Sequence, residues 1–498
     1  LKKLLRMRKL IFAVFFLLFA GNTFAAEWDF NENCQRAHLA TLSLKFDVAD
    51  SLLAIERIQN PANVCVDLVA NYRDFLEIFI SEDEQFFEQR QHLQKLRLDR
   101  LDNLPTDEPF KNFSLAAINL QWAFSRLKFG EYFKAGLEIR RAYFLLEENQ
   151  TLFPDFAPNL LGGGVLNALI GAVPPKYSWV LQLASMQGSV EKGKAQLYQL
   201  LNESNSNPQL KIWQEEALFY LSFIELNLSA SSESAIKLLE KFDELEFESN
   251  LMIYANANIL MKNGHNDRAL DLLSNRKETT DIYPFHYLNY LQAEMLIRKS
   301  SAGAKGYYQR YLNDFKGKNY RADAVRKIAW IALINGDTMT YKTQIKLVLL
   351  ETPGDVGADK DAWREAENGL VYHPVLLKAR LLFDGGYYDT ATKLLVQLNR
   401  ENLNFHDRLE YSYRLGRIKD ESGDTQNALA YYAQTLNLGA ESKYYYVANA
   451  ALKSGELYER LGEFEQAKYF YNRCLELNPE SYSNSIHQKA RAGLLRLP

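Results

Sequence analysis

One pattern occurs five times in this chain: a glycine, four residues, an alanine, and a large apolar or aromatic residue four positions on. It stands at Gly130/Ala135/Ile139, Gly264/Ala269/Leu273, Gly386/Ala391/Leu395, Gly423/Ala428/Tyr432 and Gly462/Ala467/Tyr471. Each glycine separates two segments of helical periodicity, such as EYSYRLGRIKDES and TQNALAYYAQTL around Gly423. The spacing has a direct physical reading. Glycine lets the backbone turn where one helix ends. The small alanine lets the second helix cross close to the first, and the bulky residue one turn on fills the groove beside it. A chain built this way folds as a series of helical hairpins.

The remaining features agree with an ordered, repetitive protein. At 498 residues the chain exceeds what one compact core usually supports, so several domains or an open array are expected. With 47% hydrophobic residues it can bury enough surface to offset the entropy of ordering. A net charge of -4 argues against a nucleic-acid partner, which needs a basic excess.

The last hairpin carries further signals. Gly455, Tyr458, Gly462, Phe464, Ala467, Tyr471 and Pro479 stand at the spacing of the tetratricopeptide repeat (TPR), which this segment resembles. Leu415, Gly416, Gly423, Ala428 and Tyr432 give the preceding copy, 39 residues earlier (467 minus 428), so the link holds about five extra residues. A fainter copy opens near Ala49 and Pro61, and Tyr320 to Leu350 reads as another pair turning at Gly336. The resemblance implies an all-α fold, a TPR-like α-solenoid of stacked antiparallel helix pairs. A final helical pattern over Tyr482 to Leu495 suits a cap on the array's end.

Residues 1–25 read as a signal peptide. Lys2, Lys3, Arg6, Arg8 and Lys9 precede an apolar run from Leu10 to Ala20, and Thr23 and Ala25 supply small residues before a cut after Ala25. The run is too short for a comfortable membrane span, so no transmembrane segment is expected in the mature form. The chain as a whole resembles exported TPR proteins of Gram-negative bacteria, which implies a periplasmic or envelope-associated location, with secretion as the alternative. The expected segments are 26–150, N-terminal helical pairs; 151–207, Gly/Pro-rich connecting helices; 208–351, middle pairs; and 352–498, C-terminal repeats with the cap. The apolar glycine-rich stretch from Pro154 to Trp179 reads as a buried helix whose neighbours approach closely, with a membrane-touching hairpin as the alternative. Among the three cysteines, Cys34 and Cys65 form a candidate disulfide and Cys474 is left over.

Catalytic signatures are missing. There is no HExxH and no GxSxG, and the triple glycine at 162–164 lacks the Gly-Lys-Ser/Thr ending of a phosphate-cradling loop. The seven histidines have no ligand spacing, so neither a metal nor another cofactor is expected. Asp355, Asp359 and Asp361 fall in the loop after Thr352 without calcium-loop spacing, and read as a solvated acidic loop.

The expectation is therefore a non-enzymatic scaffold that binds a protein or peptide. In TPR arrays the first helix of each pair lines a concave surface. Carried onto the matched repeats, that implies contacts from Tyr254, Asn258, Arg326, Trp330, Arg380, Tyr413, Arg417, Asn449 and Glu456. Arginine and aromatic residues dominate binding hot spots, and Arg380 and Arg417 would suit a carboxylate or an acidic peptide. The competing view pairs these arginines with nearby acids and buries Trp330. Two other functions stay open: a glycan- or nutrient-binding helical receptor component, and a cryptic enzyme with a site assembled across helices.

Overall fold

A computed structural model describes residues 25–173, 185–228, 232–245, 247, 249–369 and 371–498. Most of the expected signal peptide lies outside the described residues. So does the end of the glycine-rich stretch. The described chain is all-helical, an α-solenoid of stacked antiparallel pairs, and among the described residues extended pairing is limited to one bridge between Glu27 and Asn63. Two compact units form. The first runs to Ala255 and adds Lys277–Phe285; the second holds Asn256–Arg276 and His286–Pro498.

The first unit contains α1 (Glu32–Leu42), α2 (Phe46–Gln59), α3 (Cys65–Ser81), α4 (Glu84–Leu101), α5 (Pro109–Lys128), α6 (Tyr132–Leu152), α7 (Asn159–Gly171), α8 (Val190–Ser206), α9 (Gln214–Asn227) and α10 (Ser232–Glu244). α11 (Asn250–Lys262) spans the boundary. The closest pairs are α1 with α2, α5 with α6, and α7 with α8.

The glycine-rich stretch shows why its composition is needed. A Cβ on Gly193 of α8 would stand 2.3 Å from the Gly164 carbonyl oxygen of α7, so the helices touch backbone to backbone. Leu161, Val165, Leu166 and Ile170 are buried along α7. Among the described residues no helix is long and apolar enough to cross a membrane.

Near the start of the unit, the Glu56 carboxylate accepts from the side-chain amides of Asn31 (2.7 Å), Asn33 (3.0 Å), Asn60 (2.9 Å) and Asn63 (2.8 Å). These bonds hold its pKa below the usual glutamate value against the opposing effect of burial. Cys34 and Cys65 share the adjoining core cluster as free thiols in hydrogen-bonding contact, and burial pushes the Cys65 thiol well up.

The second unit continues with α12 (Asn266–Ser274), α13 (Tyr287–Arg298), α14 (Ala304–Asp314), α15 (Arg321–Ile334), α16 (Thr338–Gln344), α17 (Gly357–Asn368), α18 (Pro374–Asp384), α19 (Tyr388–Val396), α20 (Phe405–Glu421), α21 (Thr425–Leu438), α22 (Tyr445–Arg460), α23 (Phe464–Glu476) and α24 (Ser483–Arg496). The repeat pattern works as its spacing predicts. All five pattern glycines, and Gly336, have φ between 76° and 87°, the left-handed region that closes a helix. All five pattern alanines are fully buried, as are Leu273, Leu395, Tyr432 and Tyr471. α24 covers the end of the last pair through Ile486, Ala490 and Gly493. The extra residues of the last link form the connector between Leu438 and Tyr445.

One loop expectation is corrected. Asp359 is not a solvated acid of the loop after Thr352 but fully buried in the first turn of α17. Its carboxylate accepts the backbone N–H of Tyr320 (2.6 Å) and of Asp323 (2.9 Å), capping the start of α15. Burial nevertheless pushes its pKa up to about 6.

Candidate functional site

α15, α18, α20 and α22 are the first helices of successive pairs in the second unit, and their shared face carries the arginines singled out above. On α15, Arg326 and Trp330 are one turn apart and so point to the same side. The guanidinium of Arg326 lies 4.8 Å from the Trp330 ring centroid, and that of Arg380 on α18 lies 5.4 Å from the same ring. Trp330 donates its indole N–H to Glu365 of α17 (2.8 Å), which also accepts from the Tyr341 hydroxyl (3.0 Å). Arg326 is ion-paired with Asp323 and lies 3.7 Å from Glu365. Burial pushes the Glu365 carboxyl up, and Arg326 opposes it.

On α20, Arg417 contacts the Tyr413 hydroxyl (3.3 Å) and Glu421 (3.3 Å), with its guanidinium 4.9 Å from the Phe383 ring centroid. Arg414, a residue the sequence reading missed, is buried against Glu410 (2.9 Å) and reaches the Tyr445 hydroxyl (3.4 Å). Tyr445 is within electrostatic reach of both Arg414 and Arg380. The Glu410/Arg414 spacing of four was a readable signal. The arrival of Tyr445 from the next repeat was not.

The expected contact residues thus separate. Trp330 is 1% exposed and Tyr413 2%, so neither ring face is open to a partner, and Arg326 is locked between two buried acids. For these three the expectation of a contact surface is corrected to interior packing, because the first helices meet closely enough to enclose their large side chains. Arg380 and Arg417 keep partial exposure. The carboxylate paired with Arg380, Asp384, stands 4.0 Å away on the same helix. Asn449 and Glu456 are half-buried on α22, and Glu456 is ion-paired with Lys453 (2.7 Å). On α11, Tyr254 is half-buried against Phe219 and Phe285, and Asn258 is half-buried.

Planar guanidinium groups supply paired N–H donors, and aromatic rings hold them flat. Among the described residues no cluster of acids, histidines and cysteines could hold a metal ion.

A tetratricopeptide repeat family model matches residues 448–481, which cover most of α22 and all of α23. A UDP-N-acetylglucosamine–peptide N-acetylglucosaminyltransferase of Giardia intestinalis is 31% identical over 93 residues, 18% of this chain. The match spans only 6% of that protein's length. Among solved structures, the P58(IPK) TPR domain aligns with 86% of this chain and 99% of its own, at 14% identity and a TM-score of 0.21.

Proposed function

We propose that this chain is a non-enzymatic scaffold of the cell envelope that holds an acidic protein or peptide segment on the first-helix face of its second unit. The observation that carries the reading is Arg380. Its side chain is 30% exposed, stacks over Trp330, and has its paired carboxylate at 4.0 Å, the edge of ion-pair distance. A guanidinium so held is pre-oriented for a carboxylate and loses little freedom on binding it. Arg417 offers a second donor on the neighbouring first helix. Helical-repeat proteins commonly use such faces for protein partners, and the basic head and apolar run at residues 2–20 support the envelope location.

The test is a capture experiment from cross-linked envelope fractions with C-terminally tagged protein, run in parallel with the R380A/R417A double variant. Partners recovered with the wild type should be lost or reduced at least several-fold with the variant, at unchanged far-UV circular dichroism. Equal recovery by both proteins would remove this face from consideration.

A further inference from the structure

Within the first unit, helices α1, α3, α5, α6, α7 and α9 surround a cavity of about 30 Å³, close to one water molecule's share of the liquid. Its wall is unusual. The Glu216 carboxylate is 5% exposed and accepts from the Tyr220 hydroxyl (3.1 Å). His38 Nε2 stands 3.9 Å from Glu216 Oε2, too far for a hydrogen bond. His38 Nε2 is buried with no hydrogen-bond partner, and the buried Tyr72 hydroxyl faces the same Glu216 carboxylate, to which it can donate. The His38 ring stacks on Tyr72 (5.6 Å between centroids) and meets Trp213 edge-on (5.3 Å).

Buried polar atoms normally find partners, and the open acceptor on His38 Nε2, at the cavity wall beside Glu216, indicates a donor between them. Glu216 and its half-buried neighbour Glu215 form no ion pair with a lysine or arginine among the described residues. The ionisable lining is complete with His38 from α1, Tyr72 from α3 and Glu216 and Tyr220 from α9, with Glu215 close by; α5, α6 and α7 add none. A buried ionised carboxylate without a cation is costly, so without one Glu216 rests protonated below about pH 7, and a water molecule would not supply the charge that holds it ionised.

We propose that this cavity binds an ammonium group, whose N–H bonds go to Glu216, His38 Nε2 and the Tyr72 oxygen, under the rings of Tyr72 and Trp213. Three acceptors meet three donors, and aromatic faces favour the cation. His38 is suited to accepting, because burial pushes its pKa down to about 4 and leaves the ring neutral. Glu216 must be ionised to bind. Burial pushes its pKa up to about 7, so binding strengthens about tenfold per pH unit below that value and levels off above it. A cavity of this volume admits a free ammonium ion.

The test uses the full chain in ammonium-free sodium buffer, titrated with ¹⁵N-ammonium chloride and separately with methylammonium chloride, against sodium chloride at matched ionic strength. Saturable binding is expected by calorimetry, with a protected ¹⁵N-ammonium signal. It should weaken at least tenfold in E216Q and several-fold in Y72F. Ammonium should bind and methylammonium, a methyl group too large for the cavity, should not; equal binding of the two overturns the assignment to this cavity. Should E216Q fail to fold, Y72F and the pH series in the wild type decide. No saturation beyond sodium chloride, or unchanged binding in every folded variant, overturns the proposal and leaves water as the occupant.

Discussion

Gly455 faces the ring of Tyr471 so closely that a Cβ on the glycine would lie 2.7 Å from Tyr471 Cδ1. On the ring's other side, a Cβ on Gly493 would lie 2.4 Å from Cζ. The last hairpin and its capping helix are therefore assembled around one tyrosine, whose hydroxyl is tied to Glu459. Gly455→Ala should destabilise the fold by about 1–3 kcal/mol through overpacking. Gly136→Ala on α6, where a Cβ meets nothing within 4 Å, should instead stabilise by about 0.5–1 kcal/mol. Thermal melts of the two variants should move in opposite directions.

Asp359 clamps the two backbone N–H groups that open α15, one of them on Tyr320, whose φ is +60°. Asp359→Ala leaves both donors without their acceptor and should cost about 2 kcal/mol. Asp359→Asn should lose less, since its one remaining oxygen still accepts. The same change at the exposed Asp355 serves as control, read by the loss of unfolding midpoint in urea.

The arginine face separates stability from binding. Arg326→Ala strands the buried carboxylates of Asp323 and Glu365 and should cost about 3–5 kcal/mol. Arg380→Ala should cost less than about 1 kcal/mol, because its acid partner is weakly engaged and half-exposed. Equal losses of melting temperature in the two variants would contradict this division.

His38 and Glu216 set opposite limits on pH stability. The His38 pKa falls from 6.5 to about 4 on burial, so its contribution is full above pH 6.5 and is lost as pH falls through 4. The Glu216 pKa rises from 4.5 to about 7, so its contribution is full below pH 4.5 and is lost as pH rises through 7. Each group swings by roughly 1.4 kcal/mol per pKa unit, but the two run oppositely between pH 4.5 and 6.5 and cancel there, so their sum falls by less than about 1 kcal/mol on either side. In ammonium-free buffer, stability contributed by this pair should be greatest between pH 4.5 and 6.5. Glu216→Gln should remove the opposing contribution, so that melting temperature rises with pH from about 4 to 6.5 and holds above it.

The contacting thiols of Cys34 and Cys65 should be joined by incubation with oxidised glutathione, which takes up their electrons and protons. Ellman titration in denaturant should then count one thiol, Cys474, in place of three. Reaction should be slow, because burial disfavours the attacking thiolate. A count of three after prolonged oxidation would mean the pair cannot close.

The helical hairpins and their turns were legible in the residues because they rest on local rules. A glycine that must take positive φ, an alanine at a crossing and a large residue one turn on are fixed by spacing within a single pair, at Gly423/Ala428/Tyr432 as at Gly462/Ala467/Tyr471. The glycine-rich α7 was readable for the same reason, since small residues permit close approach. Exposure at the candidate site was not readable. Whether Trp330 faces a partner or the interior depends on Glu365 and Arg380, which arrive from other helices, 35 and 50 residues along the chain (365 minus 330 and 380 minus 330). Gly264 meets Gly386, and Asn266 bonds Tyr387, across an interval no repeat period marks. The cavity beside Glu216 gathers side chains from α1, α3 and α9. The sequence by itself determined the helix pairs, because backbone conformation and neighbouring side chains decide them. Only the tertiary structure decided which polar groups are buried, paired or left open, because desolvation and pairing depend on every element that closes around them.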